Sequence, residues 1–134
     1  MSVKTLVFGP RGQLGSLLVD RMSGLRDAFE TVSSSIRLDD ARDVEAFISS
    51  EKPHWIVNAA ALTDVDAAHL EPNKAMSINS LGPATLALAA SRVGARMIHI
   101  SSEAVYAGAS TEPYLESAPT ANVRSSCDTS MVPR

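Results

Sequence analysis

Residues 3–22 read Val-Lys-Thr-Leu-Val-Phe-Gly-Pro-Arg-Gly-Gln-Leu-Gly-Ser-Leu-Leu-Val-Asp-Arg-Met, and this stretch decides the fold. Val3 to Phe8 is short, apolar and partly β-branched, and Gly9-Pro10 stops it, so it reads as a buried first strand. Leu14, Leu17, Leu18 and Met22 follow at helical spacing, so a helix begins inside the glycine run at Gly12. Between them Gly9, Gly12 and Gly15 form G-x-x-G-x-x-G, carrying Arg11, Gln13 and Leu14. Glycines allow a sharp turn and close backbone approach to a pyrophosphate. The free N–H groups and positive dipole end of the following helix favour an anion. The alternative is a glycine turn that packs helix on sheet without a ligand.

Outward from this loop the pattern repeats. Phe29–Val32 predicts a second strand that runs into Ser33-Ser34-Ser35. Val44, Phe47 and Ile48 give a helix an apolar face, and Lys52-Pro53 ends it. Trp55–Val57 predicts a third strand, closing at Asn58-Ala59-Ala60-Ala61. A helix starts at Glu71-Pro72, with proline at its tolerated first position, and runs towards Val93 with a kink or break at Gly82-Pro83. Met97–Ile100 is the fourth strand. Alternating short strands and helices predict an α/β fold, an open parallel Rossmann-like sheet of strand order 3-2-1-4 with helices on both faces. Residues 1–118 form the expected domain, and residues 119–134 a divergent disordered tail, within a stretch from Ala109 in which Ser, Thr, Pro and Ala dominate.

Composition bounds the function. The 134 residues carry a net charge of −3, with 45% hydrophobic and 20% charged, which suits one soluble domain. A pI near 5.5 gives nucleic acid no electrostatic footprint. No apolar run approaches the ~20 residues of a membrane span, and Cys127 is a lone thiol, so a cytoplasmic setting is expected. His54, His69 and His99 share no metal-ligand spacing, so no metal is expected, and His99 reads as a packed or edge-strand histidine. Asp64 and Asp66 read as a helix start rather than an acid/base pair.

The glycine loop, the run Pro53-His54-Trp55-Ile56-Val57-Asn58-Ala59-Ala60-Ala61-Leu62-Thr63, Val65-Asp66, Glu71-Pro72, Asn79, Val93-Gly94-Ala95 and Ile98 to Tyr106 together resemble the dTDP-4-dehydrorhamnose reductase family of extended short-chain dehydrogenase/reductases. Sugar-nucleotide epimerases and the regulatory β subunit of methionine adenosyltransferase share much of this pattern. The resemblance implies NAD(P) binding and an oxidoreductase that reduces a nucleotide-linked keto sugar. Gly12, Gln13 and Leu14 would form the phosphate loop, Asp39 would stand beside the adenine, and Ala59, Ala60 and Ala61 would leave room for the cofactor. Ser33, where an acidic residue would select NAD(H), together with Arg11 and Arg37, favours NADP(H). Ser102 matches the catalytic Ser/Thr, and Glu103 an acidic position beside the substrate. The Tyr-x-x-x-Lys pair of the superfamily has no counterpart: Ser110 and Ala118 lie four residues beyond Tyr106 and Tyr114, and the last lysine is Lys74. The expected chain is therefore the cofactor half, catalytically incomplete and truncated. The alternatives are a regulatory or scaffolding NAD(P)-binding module and a fragment without independent function. An exposed fourth-strand edge predicts marginal stability or self-association.

Overall fold

In the computed structural model, β1 (Thr5–Phe8) is buried along its whole length, as expected of a strand covered on both faces. The structure describes residues 3–24, 29–31, 36–102, 105, 106, 108 and 111–120. β2 (Phe29–Thr31), β3 (Trp55–Asn58) and β4 (Arg96–His99) join β1 in one parallel sheet. Thr5 pairs with Phe29 on one side and Trp55 on the other, and Trp55 pairs in turn with Arg96.

The parallel Rossmann-like sheet is as expected; its order is not. The strands run β2-β1-β3-β4 rather than 3-2-1-4. The expected order needs the third strand on the outer edge of β2, but β2 is only three residues long and carries the exposed Glu30 at its centre, the character of an edge strand. β3 then enters on the free side of β1, where the His54 and Trp55 N–H groups both donate to the Lys4 carbonyl at 2.9 and 3.1 Å.

The chain thus moves one way from β1 to β2 and the other way from β2 to β3 and β4. Right-handed crossovers then put α1 (Gln13–Ser23) on one face, and α2 (Ala41–Glu51) and α5 (Gly82–Val93) on the other. Accordingly α2 packs on α5, whereas α1 touches β1 and β2. The core lies under α2 and α5: Leu6, Phe8 and Ile56 from the sheet meet Val44, Ile48, Leu86, Ala89 and Ala90. The expected apolar face of α1 is only partly covered, and Leu17 remains 68% exposed.

Local sequence explains the helix ends. Asp40 caps α2, its carboxylate accepting from the Arg42 and Asp43 N–H groups. Asp64 likewise caps the short α3 (Val65–Leu70), accepting from Ala67 at 2.9 Å, which bears out the reading of that acidic pair as a helix start. After α4 (Pro72–Met76) the chain makes a π-helical turn, Ser77–Leu81, and continues directly into α5. The break expected at Gly82-Pro83 therefore lies just upstream. Pro83 has no N–H and its ring presses back on the preceding turn, so the widened turn absorbs the mismatch.

β4 has a neighbour on one side only among the described residues, and Ile98 on it is 47% exposed. The chain divides into two compact units, Met1–Ile100 and Ser101–Arg134. In that second unit Tyr106 and Tyr114 stack with centroids 4.5 Å apart, and the Ala118 N–H donates to the Leu115 carbonyl at 2.9 Å. The tail from residue 121 and Cys127 lie outside the described residues.

Candidate functional site

Because the chain reverses its direction of travel at β1, the loops leaving β1 and β3 diverge at their carboxyl ends. Ligands of open α/β sheets bind in such a crevice. Here it is a cleft of about 550 Å³, of the size that holds a cofactor.

Its floor is the glycine loop. Gly9 has φ +78°, and a Cβ there would stand 2.7 Å from the Ala60 nitrogen. A Cβ on Gly15 would stand 1.9 Å from the Gly9 carbonyl oxygen. Both glycines are demanded by packing alone. Gly12 is not: its φ is −73°, and a Cβ would meet only the Gly9 oxygen at 3.4 Å, an ordinary contact. Gly12 lines the cleft, and its missing side chain leaves that space open. Gly12 is also the N-cap of α1, where no side chain caps and no acidic residue occupies the first turn. The orphan N–H groups of that turn are thus left for an external acceptor. The residues present fit the pyrophosphate of a dinucleotide.

One wall is the segment 59–62, pinned through its backbone. The Ala59 N–H donates to the Phe8 carbonyl at 3.0 Å, continuing the β1–β3 ladder. The Ala60 N–H donates to Oδ1 of Asn58 at 3.1 Å. At the far end the Asn79 side chain grips both polar groups of Leu62, accepting from its N–H at 2.8 Å and donating to its carbonyl at 3.0 Å. Asn79 belongs to the π-helical turn, so the widened turn and the cleft wall are one construction.

The opposite lip carries charge. Arg37 holds Asp39 in a two-pronged ion pair, Nε to Oδ1 at 3.0 Å and Nη2 to Oδ2 at 2.7 Å. The guanidinium holds the Asp39 carboxyl below its ordinary value, and the carboxylate in turn raises Arg37. Lys74, on α4, lines the same cleft and pairs with Glu71 at 3.2 Å.

Of the residues singled out from sequence, the cleft brings together Gly9, Gly12, Arg37, Asp39, Ala59, Ala60 and Ala61. Arg11, Gln13 and Leu14 are exposed beside the loop without lining the cleft, and Gly15 is buried beneath it. Ser102 belongs to the second unit, where its carbonyl accepts from the Val105 N–H at 3.4 Å. Ser33 and Glu103 lie outside the described residues. Sequence reasoning missed Leu38, Leu62, Lys74 and Ile78, which also line the cleft. The signal for two of them was present: Lys74 and Ile78 are four apart and share one helix face. Among the described residues no group of three or more His, Cys, Asp or Glu could hold a metal ion, and no helix is long and apolar enough to cross a membrane.

Comparison with known proteins agrees with this geometry. The chain is 35% identical over 119 residues to the spore coat polysaccharide biosynthesis protein SpsK of Bacillus subtilis, covering 87% of this chain and 41% of that protein. A dTDP-4-dehydrorhamnose reductase from Clostridium acetobutylicum superposes with a TM-score of 0.84 at 31% identity, over 89% of this chain and 43% of that one. The Bacillus anthracis dTDP-4-dehydrorhamnose reductase, solved in complex with NADP, superposes with a TM-score of 0.82 at 28% identity, over 90% and 43%. The chain thus spans about 41% of the length of the first of these, SpsK. With residues 3–128 matched by the RmlD substrate binding domain profile, the chain belongs to that family.

Proposed function

We propose that this chain binds NADP(H), with NAD(H) as the weaker ligand, and contributes the dinucleotide half of a reductase acting on a nucleotide-linked keto sugar. The observation that carries the reading is Gly12: it lines the cleft at an uncapped helix start and owes its lack of a side chain to nothing in the fold. The NADP complex of the Bacillus anthracis relative supports the choice of cofactor. Gly12 and the first turn of α1 would receive the pyrophosphate, and the small side chains of Ala59, Ala60 and Ala61 would leave room for the rest of the cofactor. When bound, the cofactor supplies hydride. Arg37 is the cation for a 2′-phosphate, and it must be drawn from Asp39, to which it is paired in the free protein.

A second reading, a non-catalytic binding module, is favoured by one observation. Neither tyrosine is followed four residues later by lysine, so the proton donor of the superfamily has no counterpart in these 134 residues. A missing general acid costs about 10²–10⁴ in rate. Calorimetric titration with NADPH and with NADH tests the first reading, and failure of both to bind a folded, monodisperse sample would end it. Turnover of a dTDP-4-keto sugar with NADPH separates the two, since the module reading predicts binding without turnover.

A further inference from the structure

We infer that Lys74 is a specificity-determining residue of the cleft, supplying the positive charge that lets it hold a 2′-phosphate on the dinucleotide. The inference rests on the dinucleotide reading for its ligand and adds the residue that decides between the two cofactors.

Among the described residues that line the cleft, three carry charge: Arg37, Asp39 and Lys74. Arg37 and Asp39 cancel, being joined through two guanidinium contacts. Without Lys74 the lining side chains would sum to neutrality. With it they hold a positive excess, in a chain whose net charge is −3. A cleft lined by one sign of charge draws in a ligand of the other. The Asp39 carboxyl is held low first by Arg37 and, more weakly, by the charge of Lys74, so Lys74 acts at the Arg37–Asp39 lip.

That lip needs a second cation if a phosphate is to bind there. A phosphate that draws Arg37 to itself leaves Asp39 as an uncompensated carboxylate beside it, and their repulsion offsets what the guanidinium contributes. An ammonium near both anions removes that conflict. The ribose hydroxyl that NAD(H) presents instead of the phosphate creates no such demand, so the charge of Lys74 weighs on one cofactor and not on the other.

Lys74 is also the less tightly held of the two cations. Its partner Glu71 stands 3.2 Å away at the start of the same helix, and both side chains are about half exposed, so the pair is worth little. Arg37, by contrast, has to give up contacts at 3.0 and 2.7 Å. If Lys74 served only as a surface partner of Glu71, its removal would affect both cofactors alike.

The test is calorimetric titration of the full chain with NADPH and with NADH, for the wild type, Lys74→Gln, Lys74→Arg and Glu71→Gln. Glu71 makes no side-chain cap on α4, so its replacement spares the helix start. Lys74→Gln should weaken NADPH relative to NADH by about five- to twentyfold, between the worth of an exposed ion pair and that of a charge-assisted hydrogen bond. Lys74→Arg should retain the preference. Glu71→Gln, which removes the competing carboxylate, should raise it by about two- to threefold. A ratio left unchanged by Lys74→Gln overturns the inference, as does an equal fall in Glu71→Gln, which would make the pair and not the charge responsible. If the wild type binds both cofactors and Lys74→Gln weakens both alike, the dinucleotide reading stands and the role of Lys74 falls. If neither cofactor binds the folded wild type, the dinucleotide reading itself falls and takes this inference with it.

Discussion

Replacing Gly12 by Asp separates what the fold needs from what a ligand needs. At φ −73° and ψ 170° any residue is comfortable, and the new Cβ meets only the Gly9 oxygen at 3.4 Å. A non-glycine residue at a compatible backbone position stabilises by about 0.4–1 kcal/mol through the unfolded state. An aspartate at an N-cap adds a few tenths of a kcal/mol over glycine. The variant should therefore melt about 2–4 °C higher than the wild type. The same carboxylate stands where the pyrophosphate is proposed to lie and occupies the N–H groups that would receive it. One pair of like charges about 4 Å apart costs about 1 kcal/mol in water and about 4 kcal/mol near a protein surface. Affinity for NADPH should fall by about tenfold to about a thousandfold. Thermal unfolding and calorimetric titration on the same two samples read both effects. A variant that melts lower would refute the claim that Gly12 is free of packing demands. One that binds NADPH as tightly as the wild type would refute the assignment of the loop to the pyrophosphate.

Gly15→Ala should do the reverse, destabilising by about 1–3 kcal/mol because its Cβ would stand 1.9 Å from the Gly9 oxygen, as denaturant unfolding would show. Asp39→Asn should release Arg37 from its two-pronged pair and raise the preference for NADPH over NADH, read as the ratio of the two dissociation constants. Asn79→Ala hands both polar groups of Leu62 to water and should cost about 0.5–1.5 kcal/mol, measured by urea unfolding. Lys4 bridges Glu51 and Glu30, an arrangement that lowers Glu51 and raises Lys4. The contribution of Glu51 is present above its unfolded-state value and is lost as pH falls through its lowered folded value. That of Lys4 is present below its unfolded-state value and lost as pH rises through its raised one. Glu51→Gln should therefore flatten the acid limb of a stability–pH profile and leave the region near neutrality less stable.

Local features of this chain were legible in its sequence, and non-local ones were not. Strand, glycine loop and helix could be read from residues 3–22 because period and turn chemistry act over a few residues. Asp64 was readable as a cap for the same reason. The order of the sheet was not, since it rests on the pairing of Thr5 with Trp55, fifty residues away. Gly82-Pro83 announced a disturbance, but its structural answer appears a turn earlier, because proline acts on the carbonyls behind it. Arg37 and Asp39 were each readable as charges near a nucleotide; their mutual pairing, which changes what Arg37 can do, required coordinates. His99 was read as a packed or edge histidine, and it lies on β4, where only geometry reveals that its Nδ1 meets the buried Asn58 amide at 3.1 Å.

The pairing register of β1 also bears on how the chain acquires its structure. The most buried strand is made early in synthesis, whereas its partners on either side are Phe29–Thr31 and Trp55–Asn58. Thr5 to Phe8 therefore meets β2 early, but one of its edges stays unpaired until Trp55–Asn58 has been made. Closing the β1–β3 ladder is a long-range event with a large loop to order, and such events are slow and expose the chain to aggregation. β3 and β4 likewise pair across a long separation, Trp55 with Arg96, with α3, α4, the π-helical turn and α5 between them. The glycine loop, though near the start of the chain, is consequently among the last parts to reach its final form, because Gly9 is held against Ala60 only once the third strand has arrived.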